Sequence, residues 1–360
     1  MRQKLPDFPW DALAPYGAVA RKHPEGAIDL SVGTPVDPTP QFIQEAFKAA
    51  SNSPSYPVTM GTPELRSAIT QWATKTLGAT GDFAVLPLIG SKEFVAWLPT
   101  FLEAQTVLYP EVAYPTYLVG AMLSESNPTA VDFDASIWPC ADLAWVNSPS
   151  NPTGRVHSEA EFRAAISWAR RTNGVLVSDE CYLEFGDRAT PTSILKYSDG
   201  DNKNLLAVHS LSKRSSMAGY RAAFVVGDPE LIARILEVRK HAGMIVPLPV
   251  QHAMTAALSD DKHVADQRGR YNARRAMLAP ALIAAGFSIE NSEAGLYIWA
   301  TRNESSWDSV AWLAEIGIIS TPGLFYGEHG SSHIRVALTA TDEQISQAAT
   351  RIISKVSIKK

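Results

Sequence analysis

The chain has 360 residues, 46% of them hydrophobic and 19% charged, with a formal net charge of -5. That length suits one large domain and a smaller one, with ample apolar material for a core. The negative balance gives no electrostatic footprint for nucleic acid or an anionic membrane, and two cysteines, Cys140 and Cys181, are too few for a disulfide framework.

The N-terminal stretch MRQKLPDFPWDALAPYG is interrupted by Pro6, Pro9 and Pro15 and has no apolar signal region. No apolar run is long enough to span a bilayer. These features predict a soluble, cytoplasmic protein. Further along, short apolar runs rich in β-branched residues alternate with segments of helical period. Strands are predicted at 84–90, 106–110, 141–149, 174–180, 204–212 and 222–228, and helices at 92–103, 117–125 and 158–172. The last helix opens on a capping box, Ser158 with Glu161, and closes on Arg170 and Arg171, where the helix dipole favours cations. Such alternation implies an α/β fold with a mostly parallel sheet covered on both faces. Beyond residue 228 the pattern turns α+β, with long helices at 230–243 and 263–286 followed by strands at 294–302 and 332–340. The expected division is a large domain at 45–245 and a small domain built from 1–44 and 246–360, the proline-rich first forty residues folding back onto it.

In sheets of this kind functional residues gather at the carboxyl ends of the strands. Four sets stand there: Gly90-Ser91-Lys92; Asn147 with the run SNPTG at 150–154; Asp179 with Tyr182; and Ser210, Ser212 and Lys213. A Gly-Ser pair at a helix start exposes backbone amides that suit a phosphate, although the same turn also serves as a simple cap. Ser210, Ser212 and Arg221 add donors for that anion, without the GxxxxGK[ST] pattern of a nucleotide loop. Lys213 follows an apolar run, where partial desolvation disfavours its ammonium form and suits it to Schiff-base chemistry. Taken singly, Lys213 reads more readily as a surface loop lysine. Its company, Asp179, Asn151 and Arg221, favours the chemical reading. The histidines show no metal spacing, and His209 reads as a packed strand residue. Glu180 and Cys181 read as structural, and Trp97, Trp138, Trp145, Trp168 and Trp299 as core.

From about residue 28 to 345 the sequence resembles the class I and II aminotransferases, the fold type I enzymes dependent on pyridoxal 5'-phosphate (PLP). The matching elements are SxSK with an arginine eight places on (Lys213 and Arg221), D-x-x-Y (Asp179 to Tyr182) and NPTG (Asn151 to Gly154). Y-x4-G-x3-LR (Tyr56, Gly61, Leu65, Arg66) and the late arginine Arg335 match as well. The resemblance implies a seven-stranded large-domain sheet and a set of roles. Lys213 carries the cofactor as a Schiff base and shuttles the substrate proton; Asp179 pairs with the pyridine nitrogen; Asn151 and Tyr182 bind the ring oxygen; and Tyr114 stacks on the ring. Gly90, Ser91, Lys92, Ser210, Ser212 and Arg221 surround the phosphate, which Tyr56 of a neighbouring subunit also reaches in a homodimer. Gly33, Asn151 and Arg335 receive the substrate carboxylate. Ala223 departs from the glycine often found two places after the phosphate arginine.

More narrowly, LPDFPWDALAP, GSKEFVAWLPT, HSLSKRSSMAGYRAAF and SEAGLYIWATR resemble the actinobacterial type of N-succinyldiaminopimelate aminotransferase. That family transfers an amino group from glutamate to N-succinyl-2-amino-6-ketopimelate on the route to diaminopimelate and lysine. Lys92, Arg214, Arg239 and Lys240 are then candidates for the acidic far end of the substrate. A class I aminotransferase of other specificity, a PLP-dependent carbon-sulfur lyase and a non-catalytic PLP-binding regulatory module stay open as alternatives.

Overall fold

Strand-forming runs of Val, Leu and Ala assemble the main sheet of the computed structural model, which describes residues 5–357. Residues 1–4, the start of the N-terminal stretch read above, lie outside it. The strands are β1 (Ala84–Leu88), β2 (Thr106–Pro110), β3 (Asn127–Val131), β4 (Leu143–Asn147), β5 (Val175–Asp179), β6 (Leu205–Ser210) and β7 (Ala223–Gly227). Their spatial order is β1-β7-β6-β5-β4-β2-β3. β7 runs antiparallel to both of its neighbours, and every other pair is parallel.

Side chains of successive strand residues serve opposite faces. Ala144, Leu176, Leu205 and Phe224 enter one core, while Trp145, Val177, Leu206 and Val225 enter the other. β4, β6 and β7 are buried at every position, which is why they read as continuous apolar runs rather than alternating ones. β3 was not legible in the sequence. It is an edge strand, largely exposed and carrying Pro128, a residue that edges tolerate because one side of the strand has no ladder to complete.

The predicted helices form at Ser91–Phe101, Thr116–Leu123, Glu159–Thr172, Pro229–Ala242 and Lys262–Ala284. The Ser158–Glu161 capping box is present, with both reciprocal bonds made. Among the tryptophans, Trp97 departs from the core reading and is 38% exposed.

A second, antiparallel sheet is built from Thr321–Pro322, His333–Ala337, Tyr297–Thr301 and Ser288–Ile289, in that order. With the helices Lys262–Ala284 and Asp342–Ser357 it encloses a third core around Tyr271, Leu282, Ile298, Ile334 and Ile345. Ile28–Asp29 pairs with Ile318–Ile319, so the N-terminal segment does fold back onto the C-terminal part. The helix Leu248–Leu258 sits instead in the first core with Ile43, Leu65 and Ile69, beside the large sheet.

One ion cluster fixes the N-terminal segment across these units. Arg274, 2% exposed, donates to both oxygens of Asp37 at 2.7 and 2.9 Å and to Asp342 at 2.6 Å, while Gln267 also donates to Asp37. Burial works against the Asp37 anion, but donation from Arg274 and Gln267 outweighs it and holds the carboxyl below its usual range. Nearby, the Thr39 hydroxyl donates to the Ser216 carbonyl at 2.6 Å, tying this segment to the loop that follows β6.

Arg274→Leu strands the Asp37 carboxylate without its main partner. The expected loss is about 3–5 kcal/mol of unfolding free energy at neutral pH, measured by urea denaturation. Because the folded carboxyl titrates below its unfolded value, its stabilisation is present above the unfolded pKa and lost as pH falls through the folded one. The gap between wild type and variant should therefore narrow on acidification. A loss below about 1 kcal/mol would mean that the pair behaves as an exposed surface bridge.

Candidate active site

The carboxyl ends of β4, β5 and β6, the start of the helix Ser91–Phe101 and the two central strands of the second sheet open onto a single cavity of about 700 Å³. Ser91, Lys92, Tyr114, Asn147, Asn151, Asp179, Tyr182, Ser210, Ser212, Lys213 and Arg221 line it, joined by Gly33 and Arg335. The structure thus brings together nearly all the residues singled out in the sequence. Gly90 and Tyr56 are the exceptions: Gly90 lies against the lining residue Arg221 without lining the cavity itself, and Tyr56 is 95% exposed and apart from it.

Lys213 is set by the turn that ends β6. The Ser210 hydroxyl caps the short helix Leu211–Arg214 by accepting from the Ser212 amide, and buried Leu211 and Arg214 anchor it from behind. Its ammonium donates to the Gly33 carbonyl. Burial pushes Lys213 below the ordinary lysine range, as its place after an apolar strand predicts.

Arg221 ends the turn at 218–220 in the left-handed region, with φ 57°. Its guanidinium reaches the N-terminus of the helix Ser91–Phe101 only because residue 90 is glycine. A Cβ at Gly90 would lie 2.1 Å from Arg221 Nη2, and the glycine itself sits at φ +97°. Helix amides and a guanidinium therefore face one small space, a cradle for a dianion.

Asp179, at the end of β5, is 7% exposed. Its carboxylate accepts from the Tyr117 hydroxyl at 2.9 Å and from the Cys181 amide at 3.2 Å. Burial nonetheless raises its pKa, so the site lacks a cation to hold the anion there. Asn147 donates to the Asp179 carbonyl at 2.8 Å and accepts from the Asn151 amide at 2.7 Å, which fixes the NPTG turn against β5. From the other side, the Ser292 and Ala294 amides donate to the carbonyls of Thr153 and Gly154.

Arg335 stands on the strand His333–Ala337 and is 3% exposed. It donates to Asn151 Oδ1 at 2.9 Å and to the Ser31 carbonyl at 2.6 Å. Its guanidinium lies 4.0 Å from the centre of the Tyr297 ring and 5.0 Å from that of Tyr326. Among the described residues no carboxylate lies within ion-pair distance of it, and its Nε has no hydrogen-bond partner. A buried guanidinium without a counter-ion is a receptor for an anionic ligand. Tyr182 and Tyr297 share a hydroxyl contact of 3.0 Å; burial drives the Tyr182 phenol well above its ordinary range and the Tyr114 phenol up to about 12.

Residues 25–352 match the family described as aminotransferase class I and II. The chain belongs to the class I and II aminotransferases. It is 54% identical to the probable aminotransferase Rv1178 of Mycobacterium tuberculosis, over 97% of this chain and 85% of that one. It is 50% identical to the 4-dedimethylamino-4-oxo-anhydrotetracycline transaminase OxyQ of Streptomyces rimosus, over 97% and 99% of the two chains. Among solved structures it resembles a probable N-succinyldiaminopimelate aminotransferase from Thermus thermophilus, with TM-score 0.87, 26% identity, and 96% and 100% of the chains covered.

The aminotransferases of this family work with PLP, and the cavity fits that group. The Gly90–Arg221 cradle suits a phosphate, the buried Asp179 carboxyl calls for a cation, and Lys213 is an amine of lowered basicity. Sequence reasoning missed Tyr117, Tyr297 and Cys181, and also Phe8 and Trp10 of the lining. Tyr117 and Tyr297 lie inside a helix and a strand that read as ordinary core, with no local signal of their role. Cys181 was read as structural by strand alternation, but the strand ends at Asp179 and the turn brings Cys181 into the lining. Glu180 does turn inward, accepting from the Ile194 amide at 2.8 Å beside buried His209, which packs on Trp72 and Phe224. Of the cations considered for the far end of the substrate, Arg214 is engaged by Glu184, Arg239 by Glu93 and Lys240 by Glu237. Only Lys92 of that group lines the cavity.

The raised pKa of Asp179 gives a signed expectation for the cofactor-free protein. A carboxyl whose folded pKa exceeds its unfolded one contributes stability below the unfolded pKa that is lost as pH rises through the folded one. Asp179→Asn removes that loss, so the variant should have the higher urea midpoint at pH 8, with the advantage disappearing at acid pH. A lower midpoint at pH 8 would show that the carboxylate is not under strain there.

Proposed function

We propose that this aminotransferase takes glutamate as amino donor and N-succinyl-2-amino-6-ketopimelate as acceptor, the transamination that leads to diaminopimelate and lysine. The observation that carries the reaction type is Arg335, a buried guanidinium with no acidic partner, 4.0 Å over Tyr297 in the same cavity as Lys213. An α-amino or 2-oxo acid supplies the missing carboxylate. The acceptor is supported by the sequence resemblance and by the likeness to the probable N-succinyldiaminopimelate aminotransferase of Thermus thermophilus. The 50% identity to OxyQ supports a second reading, a ring ketone as acceptor.

Bound PLP supplies an electron sink for the pair released when the substrate Cα–H bond breaks. This chain's residues do the rest. Gly90, Ser91 and Lys92 at the helix start, with Ser210, Ser212 and Arg221, hold the phosphate. Asp179 holds the pyridine nitrogen protonated, and Asn151 and Tyr182 bind the ring oxygen. Tyr114 faces the ring, while Arg335 with Asn151 and Gly33 orients the substrate carboxylate. Lys213 would hold the cofactor and, as an amine whose pKa is lowered by burial, would be the general acid and base placed to take the proton from substrate Cα and give it back.

The same reading makes the enzyme a cytoplasmic homodimer in which Tyr56, with exposed Val58 and Met60 beside it, meets a second copy and reaches its phosphate. It divides the chain into a large PLP-binding unit at 45–245 and a smaller unit from 1–44 and 246–360 that closes on substrate, with Ile43 and the helix Leu248–Leu258 of the smaller unit's sequence packing on the large one.

The test is the visible spectrum of the purified protein with PLP, before and after glutamate. The wild type should be yellow and lose that colour with glutamate; Lys213→Ala should lack the normal band and turn over slower by on the order of 10²–10⁴-fold. A colourless wild type after added PLP would overturn the residue roles. A yellow protein indifferent to glutamate would favour the carbon-sulfur lyase.

A further inference from the structure

The three residues that follow Lys213 are each tied to a different part of the chain. The Arg214 guanidinium donates to Glu184 and, at 2.6 Å, to the Ala257 carbonyl. The Ser215 hydroxyl meets His263 Nε2 at 2.8 Å, and the Ser216 carbonyl accepts from Thr39. Ser216 sits at φ 51°, in the left-handed region that costs a residue with a side chain free energy and persists only where the surroundings hold it. The turn that carries the amine is therefore shaped from outside, and Ser215 is the middle tether.

The direction of that tether follows from its partners. Asp260 Oδ1 accepts from the His263 amide at 2.9 Å and meets the ring Nδ1 at 2.6 Å. A carboxylate offers no proton, so Nδ1 carries the ring hydrogen and Nε2 is left to accept from the Ser215 hydroxyl. Arg214 Nη1 approaches the same hydroxyl oxygen at 3.4 Å, occupying a lone pair and leaving the proton for His263. Asp260, His263 and Ser215 thus stand in the order of a nucleophile relay, but Ser215 is 1% exposed, which suits a strut and excludes attack on a substrate. Facing the ring are Arg214 and Glu184, with Phe42 edge-on at 5.5 Å. Asp261 and Lys262 beside it in sequence are paired with Lys75 and Asp266, and Arg270 lies further along its helix on the wall of a cavity of about 370 Å³ that His263 also lines. Burial, with Arg214 nearby, outweighs Asp260 and keeps His263 below the ordinary imidazole range.

We infer that His263 is a positioning residue for Lys213: as a neutral ring it accepts from Ser215 and fixes the turn from which the lysine amine must leave and to which it must return. This rests on the aminotransferase reading above and adds to it a group that does not line the active cavity. A second proton on the ring would turn Nε2 into a donor and set an imidazolium beside the Arg214 guanidinium. The strut therefore holds at neutral pH and is lost as pH falls below the ordinary imidazole range.

The test uses Ser215→Ala, His263→Phe, which keeps an aromatic ring against Phe42 without a polar atom, and His263→Gln, which keeps an acceptor that does not titrate. In the cofactor-free proteins, hydrogen–deuterium exchange over 211–217 should be about fivefold to tenfold faster in Ser215→Ala and His263→Phe, the loss of roughly one hydrogen bond, and near wild type in His263→Gln. The strands Leu143–Asn147 and Tyr297–Thr301 should exchange as in wild type. In the PLP-loaded proteins, the rate at which saturating glutamate discharges the yellow colour should fall about tenfold in Ser215→Ala and His263→Phe. The half-saturating glutamate concentration should stay within about twofold, and the double variant should be no slower than either single one, because the two side chains act as a unit. That rate should also drop on acidification in wild type and be flatter with pH in His263→Gln. Unchanged exchange over 211–217 in His263→Phe overturns the inference, as does protection lost evenly along the chain. Faster local exchange with a wild-type rate of colour loss also overturns it, since the strut would then serve structure alone. An acid limb identical in wild type and His263→Gln overturns the requirement for a neutral ring. If glutamate leaves the colour unchanged in every protein, the amino-donor reading falls, and the exchange result by itself upholds or overturns the fixing of the turn.

Discussion

Uncompensated cationic charge held out of water is the constraint around which this structure is organised. Arg335 is buried without an acidic partner, and the partly buried Lys213 is held against a carbonyl. Each of these costs free energy in the empty protein. Native folds carry such costs where a ligand is meant to relieve them. The two large sheets and the folded-back N-terminal segment converge here because each supplies part of the neutral hydrogen bonding that makes the burial tolerable: Asn151 from one sheet, Arg335 from the other, and the Ser31 and Gly33 carbonyls from the segment.

The Asp37–Arg274–Asp342 cluster then takes on a functional meaning. It pins the chain a few residues beyond Gly33, and Thr39 bonds the same stretch to the loop after Lys213. The carbonyl that accepts from Lys213 is thereby positioned by contacts some distance from the cavity, on packed elements. A salt bridge of this kind contributes little to net stability compared with an apolar substitute, yet it fixes one arrangement among several. Fixing the arrangement matters for a lysine that must be released and recaptured at one place.

Much of this was legible in the sequence, and the limits have physical causes. The large-sheet strands and the long helices follow from period and punctuation, which are local properties; β3 escaped because edge strands need neither apolar faces nor freedom from proline. Lys213, Asp179, Asn151 and Arg221 were visible because strand ends in an α/β sheet collect functional groups, and the aminotransferase motifs named Arg335. Tyr117 and Tyr297 were not, because a tyrosine in a helix or strand looks the same whether its hydroxyl meets water or a buried carboxylate. Phe8 and Trp10 were hidden for a different reason. Their part depends on where the N-terminal segment crosses the cavity, a long-range fact with no local signature.

The charge distribution also orders events at the site. With Asp179 as the only carboxylate among the described residues of the lining, the cavity disfavours a further cation and attracts a dianion. A phosphate at the Gly90–Arg221 cradle would remove part of the excess, and a cationic ring nitrogen at Asp179 would oppose the burial that raises that carboxyl's pKa, both on the cofactor side.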